Sequence, residues 1–585
     1  MFQKITTLLI ILTSLICLKA FSQSKDHPKD YFRSPLDIPL ALSGNFGELR
    51  SNHFHSGFDI KTEGVEGKKV YAVADGYISR IKVSPWGYGN ALYITHPNGY
   101  VSMYAHLRNY NDSIQKYVKI AQYLEETFEI ELFPAKGELP VKKGDIIAFS
   151  GNTGGSGAPH LHFEIRDEKT EKPINPLLFG YKIADNIKPI LKELIIYPID
   201  SSSFVNSSRL PKKVLLAGTL GNYKIGGEGT TVVAQGNIGF GIEAYDLNSS
   251  VSNKVGVYSI ELKVDNERIY YYEMEQFGFD ENRYINCHLD YYECRKNKSF
   301  YQKSFLAPNN KLNIYKNIKN NGIWNFSDDS IHTVQYIVRD YTGNASTATF
   351  KIQSKPKGII KESANIMVGK PKISPWFKEV FKYDRENVFQ NDYITVDFPA
   401  NIFYEDLYFE YHASDTIKGA VTATHHIHNE YVPVHFPYLL SIKTGNLSPA
   451  QRKKALIVSI DERGNKTPME STFQEDRITC TPKILGAFTV MIDSVKPIIK
   501  PVNIPANKNL AGVREIKIRI GDNLSGIKTY RATIDGKWVG MEYEPKLALL
   551  TYIFEKDLKP GKHTFNLEVK DGSGNTTVYN TEFTR

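Results

Sequence analysis

Residues 159–164 read Pro159-His160-Leu161-His162-Phe163-Glu164. Apolar Leu161 and Phe163 alternate with His160, His162 and Glu164, the period-two pattern of a strand with one buried face. On such a strand His160 and His162 leave the same face, roughly 7 Å apart at about 3.3 Å per residue. Upstream, Val70-Tyr71-Ala72-Val73-Ala74 turns at Asp75-Gly76 into residues 77–83, and a Gly-rich turn leads on to Ala91-Leu92-Tyr93-Ile94-Thr95. Short strands separated by Gly, Asn and Pro turns predict a small antiparallel all-β unit over 35–180. Residues 108–138 interrupt it. Within them, 119–131 predicts helical or mixed structure and carries Glu125, Glu126, Glu129 and Glu131.

The rest of the chain is read against its length. At roughly 150 residues per domain, 585 residues suggest about four domains. The 41% hydrophobic and 23% charged content excludes an intrinsically disordered chain, and 36 Tyr with 31 Phe favour strands. The net charge of +8 is dispersed, without the basic block of a nucleic-acid binder. Four cysteines are too few for a disulfide scaffold.

Residues 1–22 read as a signal peptide: Lys4, an uncharged apolar run over 5–18, and Ala20-Phe21-Ser22 before Gln23. The expected mature protein is exported, to the periplasm or outer cell surface, with no transmembrane segment after cleavage. Export permits Cys287 and Cys294 to pair; free, buried thiols are the other reading, and Cys480 is left over.

After about residue 187 strands recur in a weak repeat. HTVQYIVRDYTGN from His332 and HTFNLEVKDGSGN from His563 both run a strand into Asp-x-x-Gly-Asn, and IVSIDERGN at Asp461 is a partial third copy. FGIEAYDLNSS around Asp246 and IKIRIGDNLSGI around Asp522 are similar upstream strands. Such units resemble immunoglobulin-like β-sandwich modules. Pro-containing linkers place divisions at 23–187, 188–357, 358–494 and 495–585, so the fold class is all-β throughout.

Three polar groups carry chemistry: His55-Ser56-Gly57-Phe58-Asp59, Tyr104-Ala105-His106-Leu107, and the strand with His160 and His162. If 55–59 is a turn, Gly57 lets His55 and Asp59 converge. A hydrolytic zinc site needs three N or O ligands and one open position, and two His with one Asp meet that number. The remaining two His can serve the water and the oxyanion.

In this order, H-x-G-x-D, Y-x-H-L and H-x-H resemble the lysostaphin/LytM-type zinc metalloendopeptidases. Val141-Lys142-Lys143-Gly144-Asp145, Ser150-Gly151-Asn152-Thr153-Gly154 and Ile174-Asn175-Pro176 match flanking segments of that family. The resemblance covers about a quarter of the chain. It implies one Zn2+ held by His55, Asp59 and His162, catalytic roles for His106 and His160, and peptide cross-links of peptidoglycan as substrate. The chain departs from the family in the insertion at 108–138, read as a lid beside His106, with an inert surface elaboration as the other reading. A non-catalytic wall-binding or hydrolase-activating scaffold is the alternative, and the later modules are expected to bind protein or glycan or to act as spacers.

Other residues have plainer readings. Glu164 is either a partner orienting a ligand histidine or a solvent-facing salt-bridge residue. His53 competes with His55, whose spacing fits better. His96 precedes a turn and reads as structural. His425, His426, His428 and His435 read as a partly exposed strand face, with a second metal site as the other reading, and Asp522-x-x-Ser525-Gly526 as a lone Asp turn, with a calcium site as the other reading.

Overall fold

The computed structural model describes residues 27–219, 221–226, 231–248, 252–358, 374–555 and 558–585. The expected signal segment lies outside the described residues. Among the described residues strands account for 46% and helices for 8%, so the fold is all-β. Among the described residues no helix is long and apolar enough to cross a membrane.

The first sheet runs, edge to edge, Leu42–Gly44, Phe58–Lys61, His160–Asp167, Tyr100–Tyr110, Asn90–Thr95, Gly76–Val83 and Pro140–Val141. Its ladders are antiparallel, and the three strands bearing the sequence motifs are immediate neighbours. Phe58, Ile60, Leu161, Phe163, Ile165, Tyr104 and Leu107 send one face into a common core. The other face carries Asp59, His160, His162 and Glu164, as period-two alternation requires.

The helix of the insertion begins earlier than its sequence suggested. The helix spans Asp112–Glu125, capped by the Asn111 side chain accepting from the Ile114 amide and ended at Glu126 with φ 48°. A short strand, Ile130–Leu132, then pairs with Gly76–Val83. Residues 108–110 still belong to the strand Tyr100–Tyr110, so the ladder overrides the apparent break after Leu107.

Further strands fall within 190–354, 377–492 and 498–584. The first of these is one continuous twelve-stranded sheet. Val232–Leu247 pairs antiparallel with Ile190–Pro198 and parallel with Ala345–Ser354, which wraps the sheet around its own core. The other two stretches each pack two sheets face to face, of six and five strands and of four and four. In Lys562–Asp571 buried and more exposed residues alternate, with Phe565, Leu567 and Val569 sharing a core with Ile516, Ile518 and Ile520. Cys287, Cys294 and Cys480 are free thiols.

Candidate metal centre

Sheet register brings the distant motifs together. His162 is directly opposite Asp59 on one neighbouring strand and Ala105 on the other. His55 follows the two-residue strand His53–Phe54 and is held by its amide on the Glu48 carbonyl at 2.9 Å. Gly57 is needed for a close approach: a Cβ there would lie 2.2 Å from the Phe163 carbonyl oxygen. That packing, more than turn flexibility, explains the glycine between His55 and Asp59.

The three donor atoms form a tight triangle. His55 Nε2 lies 3.0 Å from Asp59 Oδ1 and 3.0 Å from His162 Nδ1, and His162 Nδ1 lies 2.9 Å from Asp59 Oδ1. The far side of each donor is also engaged. His55 Nδ1 donates to the Asn45 carbonyl at 2.8 Å, His162 Nε2 donates to Glu164 Oε1 at 2.8 Å, and Asp59 Oδ2 accepts from Arg50 at 2.7 Å.

These outer bonds set the tautomers, because carbonyl and carboxylate oxygens only accept. In the neutral rings, His55 Nε2 and His162 Nδ1 therefore both turn lone pairs toward Asp59 Oδ1. Three lone pairs meeting at one buried point require a cation. A tetrahedral zinc site with bonds of about 2.0–2.1 Å has ligand–ligand edges of about 3.3 Å, so the donors need to part by only a few tenths of an ångström. The residues present therefore fit a zinc ion.

The electrostatics agree. Burial alone would raise Asp59, but His55 beside it and hydrogen bonds from His160 and His162 hold it well below its ordinary range. Burial opposes charge on His162, yet its bonds to Asp59 and Glu164 leave it raised to about 9. The cluster attracts positive charge, which a proton or a metal can supply.

His106 reaches this face by a backbone irregularity. Strict alternation would place it in the core beside Tyr104. Its φ of 56° reverses the facing, so Leu107 enters the core and the imidazole joins the site. His106 Nδ1 donates to the Thr153 carbonyl at 2.8 Å, and its ring centroid is 4.7 Å from that of His160. Burial, then the charges of His162 and His160, lower it to about 3. His160 Nδ1 donates to the Ala158 carbonyl at 2.8 Å, with Nε2 3.4 Å from Asp59 Oδ1.

Glu164 is fully buried. It accepts from His162, Ser56 Oγ at 2.6 Å and the Tyr88 hydroxyl at 2.7 Å, while its other oxygen accepts from Arg166 Nε at 2.7 Å. It thus serves both as orienting partner and as ion-pair partner. Asn45, Arg50, Tyr88 and Arg166 were absent from the sequence reading. Glu164-x-Arg166 on one strand face was a usable signal for Arg166, whereas a supporting carbonyl such as Asn45 O leaves none. His53 bonds the Ser51 carbonyl and stands apart from the triangle. His96 is buried between the Asp75 carbonyl and Ser102 Oγ. His425, bonding the Tyr411 hydroxyl, and His435 are buried, while His426 and His428 are half-buried, so the face is partly exposed only at the latter two.

The insertion reaches the last stretch of the chain. Lys119 pairs with Glu555 at 2.6 Å, Glu126 pairs with Arg531, and the Tyr123 ring meets Trp538 at 5.1 Å. Lys546 donates to the carbonyls of Asn152 at 2.7 Å and Ser156 at 3.1 Å, in the loop that also holds His106 and His160. The insertion thus packs against residues 531–555, a stretch that itself reaches the site's rim through Lys546.

Residues 53–127 and 132–176 match Peptidase family M23, and residues 378–493 match a Zu5-like domain. The DD-carboxypeptidase/endopeptidase Mpg of Neisseria meningitidis serogroup B is 34% identical over 129 residues, 22% of this chain and 23% of that protein. The murein hydrolase activator NlpD of Salmonella dublin is 32% identical over 160 residues, 27% of this chain and 34% of that protein. The chain thus spans only about a quarter to a third of the length of these relatives. The catalytic domain of lysostaphin from Staphylococcus simulans is 26% identical, with 24% of this chain and 92% of that one covered and a TM-score of 0.19.

Proposed function

We propose that this chain, whose residues 53–176 form a module of the Peptidase M23 (LytM) type, is an exported zinc metalloendopeptidase that hydrolyses peptide cross-links of peptidoglycan. The observation that carries this reading is the buried triangle of lone pairs from His55, Asp59 and His162. The substrate class follows from what the M23 relatives are named for. Boundaries near 188, 358 and 495 belong to the same proposal, with three β-modules behind the peptidase module.

His55, Asp59 and His162 would hold the zinc. When bound, zinc supplies a Lewis acid for the scissile carbonyl and lowers the pKa of water. Asn45, Arg50 and Glu164 fix the ligand orientations and tautomers. His106 and His160 each donate Nδ1–H to a backbone carbonyl, so in the neutral ring Nε2 carries the lone pair. Those Nε2 atoms can take the proton released by attack on the carbonyl and return it to the leaving amine. The lowered pKa of His106 keeps that ring neutral at pH 7.

The test is digestion of purified cross-linked sacculi by the chain from Gln23, with chelator-treated and His162→Ala controls. Conversion of dimeric to monomeric muropeptides, abolished in both controls, is the expected result. Stoichiometric zinc without any muropeptide change would favour the activator reading instead. Absence of zinc binding would overturn the assignment of the three ligands.

A further inference from the structure

Two acidic clusters outside the metal centre share one plan. Asp185, Asp246 and Asp340 bring one carboxylate oxygen each within 4.8 Å of the others, and Asp493, Asp522 and Asp571 do the same. The members correspond one to one. Asp185 and Asp493 each open an Asp-x-x-Lys-Pro-Ile segment, 185–190 and 493–498. Their Oδ1 atoms accept from the amides of Ile187 at 3.0 Å and Val495 at 3.2 Å. Asp246 lies at the end of the strand Val232–Leu247, and Asp522 follows the strand Glu515–Gly521.

Asp340 and Asp571 open the repeated Asp-x-x-Gly-Asn turn. Asp340 Oδ1 accepts from the Gly343 and Asn344 amides, and Asp571 Oδ1 from the Ser573 and Asn575 amides. The Asn344 and Asn575 side chains each donate to the second oxygen at 2.7 Å. The same two side chains reach the main-chain carbonyls of Asp185 at 3.4 Å and Asp493 at 3.0 Å.

Each cluster also holds an orphan oxygen. Among the described residues, Asp246 Oδ1 and Asp522 Oδ1 are buried atoms with no hydrogen-bond partner. Asp246 is 3% exposed and faces a small cavity that Asp185 and Asp340 also line. Burial, then the neighbouring carboxylates, push Asp246 up to about 8. An unpartnered buried carboxylate oxygen is costly, and here it occurs at equivalent places in two modules. The third copy of the turn supplies a contrast. Asp461 accepts from Arg463 and Asn465 in the same way, yet among the described residues no group of three acidic side chains forms around it. The turn by itself therefore does not make the cluster.

We propose that each cluster binds one calcium ion that clamps two successive modules. The donors are all oxygen, which selects a hard cation over zinc or copper. Carboxylates in irregular array, backed by nearby carbonyls, suit calcium, whereas magnesium demands a near-ideal octahedron and keeps several waters. The first cavity is lined on one side by Leu42, Asn45 and Phe46 and on the other by Asp246, Tyr258 and Asp340. Asn45 is the hinge of that joint. Its side chain exchanges hydrogen bonds with the Gly256 backbone at 2.7 and 2.8 Å, and its carbonyl takes the Nδ1 proton of His55. An ion there steadies the joint that orients His55. The second cluster joins the strand Gly486–Ile492 to the last module, which carries Lys546, and Lys454 bonds Asn575 at its edge. Binding at either cluster does not depend on the peptidase reading; only the link to His55 rests on it.

The test is elemental analysis of the full chain from Gln23, dialysed against micromolar calcium, with calcium and zinc counted in the same sample. Two calcium ions per chain are expected for the wild type, one for Asp246→Ala, one for Asp522→Ala and two for Asp461→Ala. Calcium is also expected to raise the wild-type Tm, and to raise it less in the first two variants. Fewer than two ions in the wild type, or two retained by either cluster variant, overturns the proposal. The wild-type count decides even if a variant misfolds. Zinc without calcium would sink this inference alone, and calcium without zinc would sink the peptidase reading alone.

Discussion

Replacing Glu164 by Gln keeps the shape of the side chain and removes one negative charge from a site with 0% exposure. The carboxylate accepts from four groups: His162, Ser56, Tyr88 and Arg166. A Gln amide offers one accepting oxygen and one donating NH2. If the oxygen keeps His162, Ser56 and Tyr88, the NH2 faces Arg166 Nε–H, and two donors oppose each other. Arg166, with 6% of its side chain exposed, then loses its buried counter-charge and keeps the longer contact to the exposed Glu171 and its stacking on Tyr93 and Phe279. Breaking one side of a buried pair costs about 3–5 kcal/mol. For a cooperative unit of about 150–250 residues that is a fall in melting temperature on the order of 6–20 °C. The Nε2–H of His162 loses its anionic acceptor as well, and losses of this kind weaken zinc affinity about 10–100-fold. Calorimetry reads the first effect, and competition with a chromogenic chelator reads the second. Glu131→Gln is the control, because the Glu131–Arg80 pair is partly exposed and worth under about 1 kcal/mol. An E164Q protein with wild-type melting and zinc affinity would refute the role given to Glu164.

His55→Ala should abolish stoichiometric zinc binding while His53→Ala leaves it intact, as metal analysis would show; the reverse result would move the ligand to His53. Acidification should destabilise the fold between about pH 6.5 and 4, because burial lowers His96, His288, His425 and His435 to about 4. In that window the unfolded chain binds protons that the folded one refuses at these four rings, so their contribution is full above pH 6.5 and falls with pH, by up to about 3 kcal/mol per histidine. Melting temperatures flat from pH 7 to 4.5 would contradict this. Glu555→Lys should set Lys119 against a like charge and loosen the last module from the insertion, measured as faster proteolysis near residue 495 and a severalfold change in sacculus hydrolysis. Unchanged values for both would remove the role given to the insertion's packing on residues 531–555.

Much of the site was legible locally. Alternation in 159–164 separates Leu161 and Phe163 from His160, His162 and Glu164, because a strand's side-chain direction depends only on its own backbone. The insertion helix was half legible. Asn111 and Asp112 are good cap and first-turn residues, but the reading began at Lys119 and missed them. His106 was found by its motif, while its facing was not, since a positive φ at a non-glycine residue is imposed by surrounding structure. The lone-turn reading of Asp522 also needed revision, because its partners Asp493 and Asp571 are 29 and 49 residues away.

Residue order alone determined an all-β chain, the strand faces, and the residue types able to hold a metal. Tertiary structure decided which strands are neighbours, and so that Asp59 lies opposite His162, that His55 leans on the Asn45 carbonyl, and that two sets of three aspartates converge. The physical reason is range. Periodicity and turn chemistry are set by a few adjacent backbone dihedrals, whereas register, lone-pair convergence and charge burial arise only when segments far apart in the chain share one core.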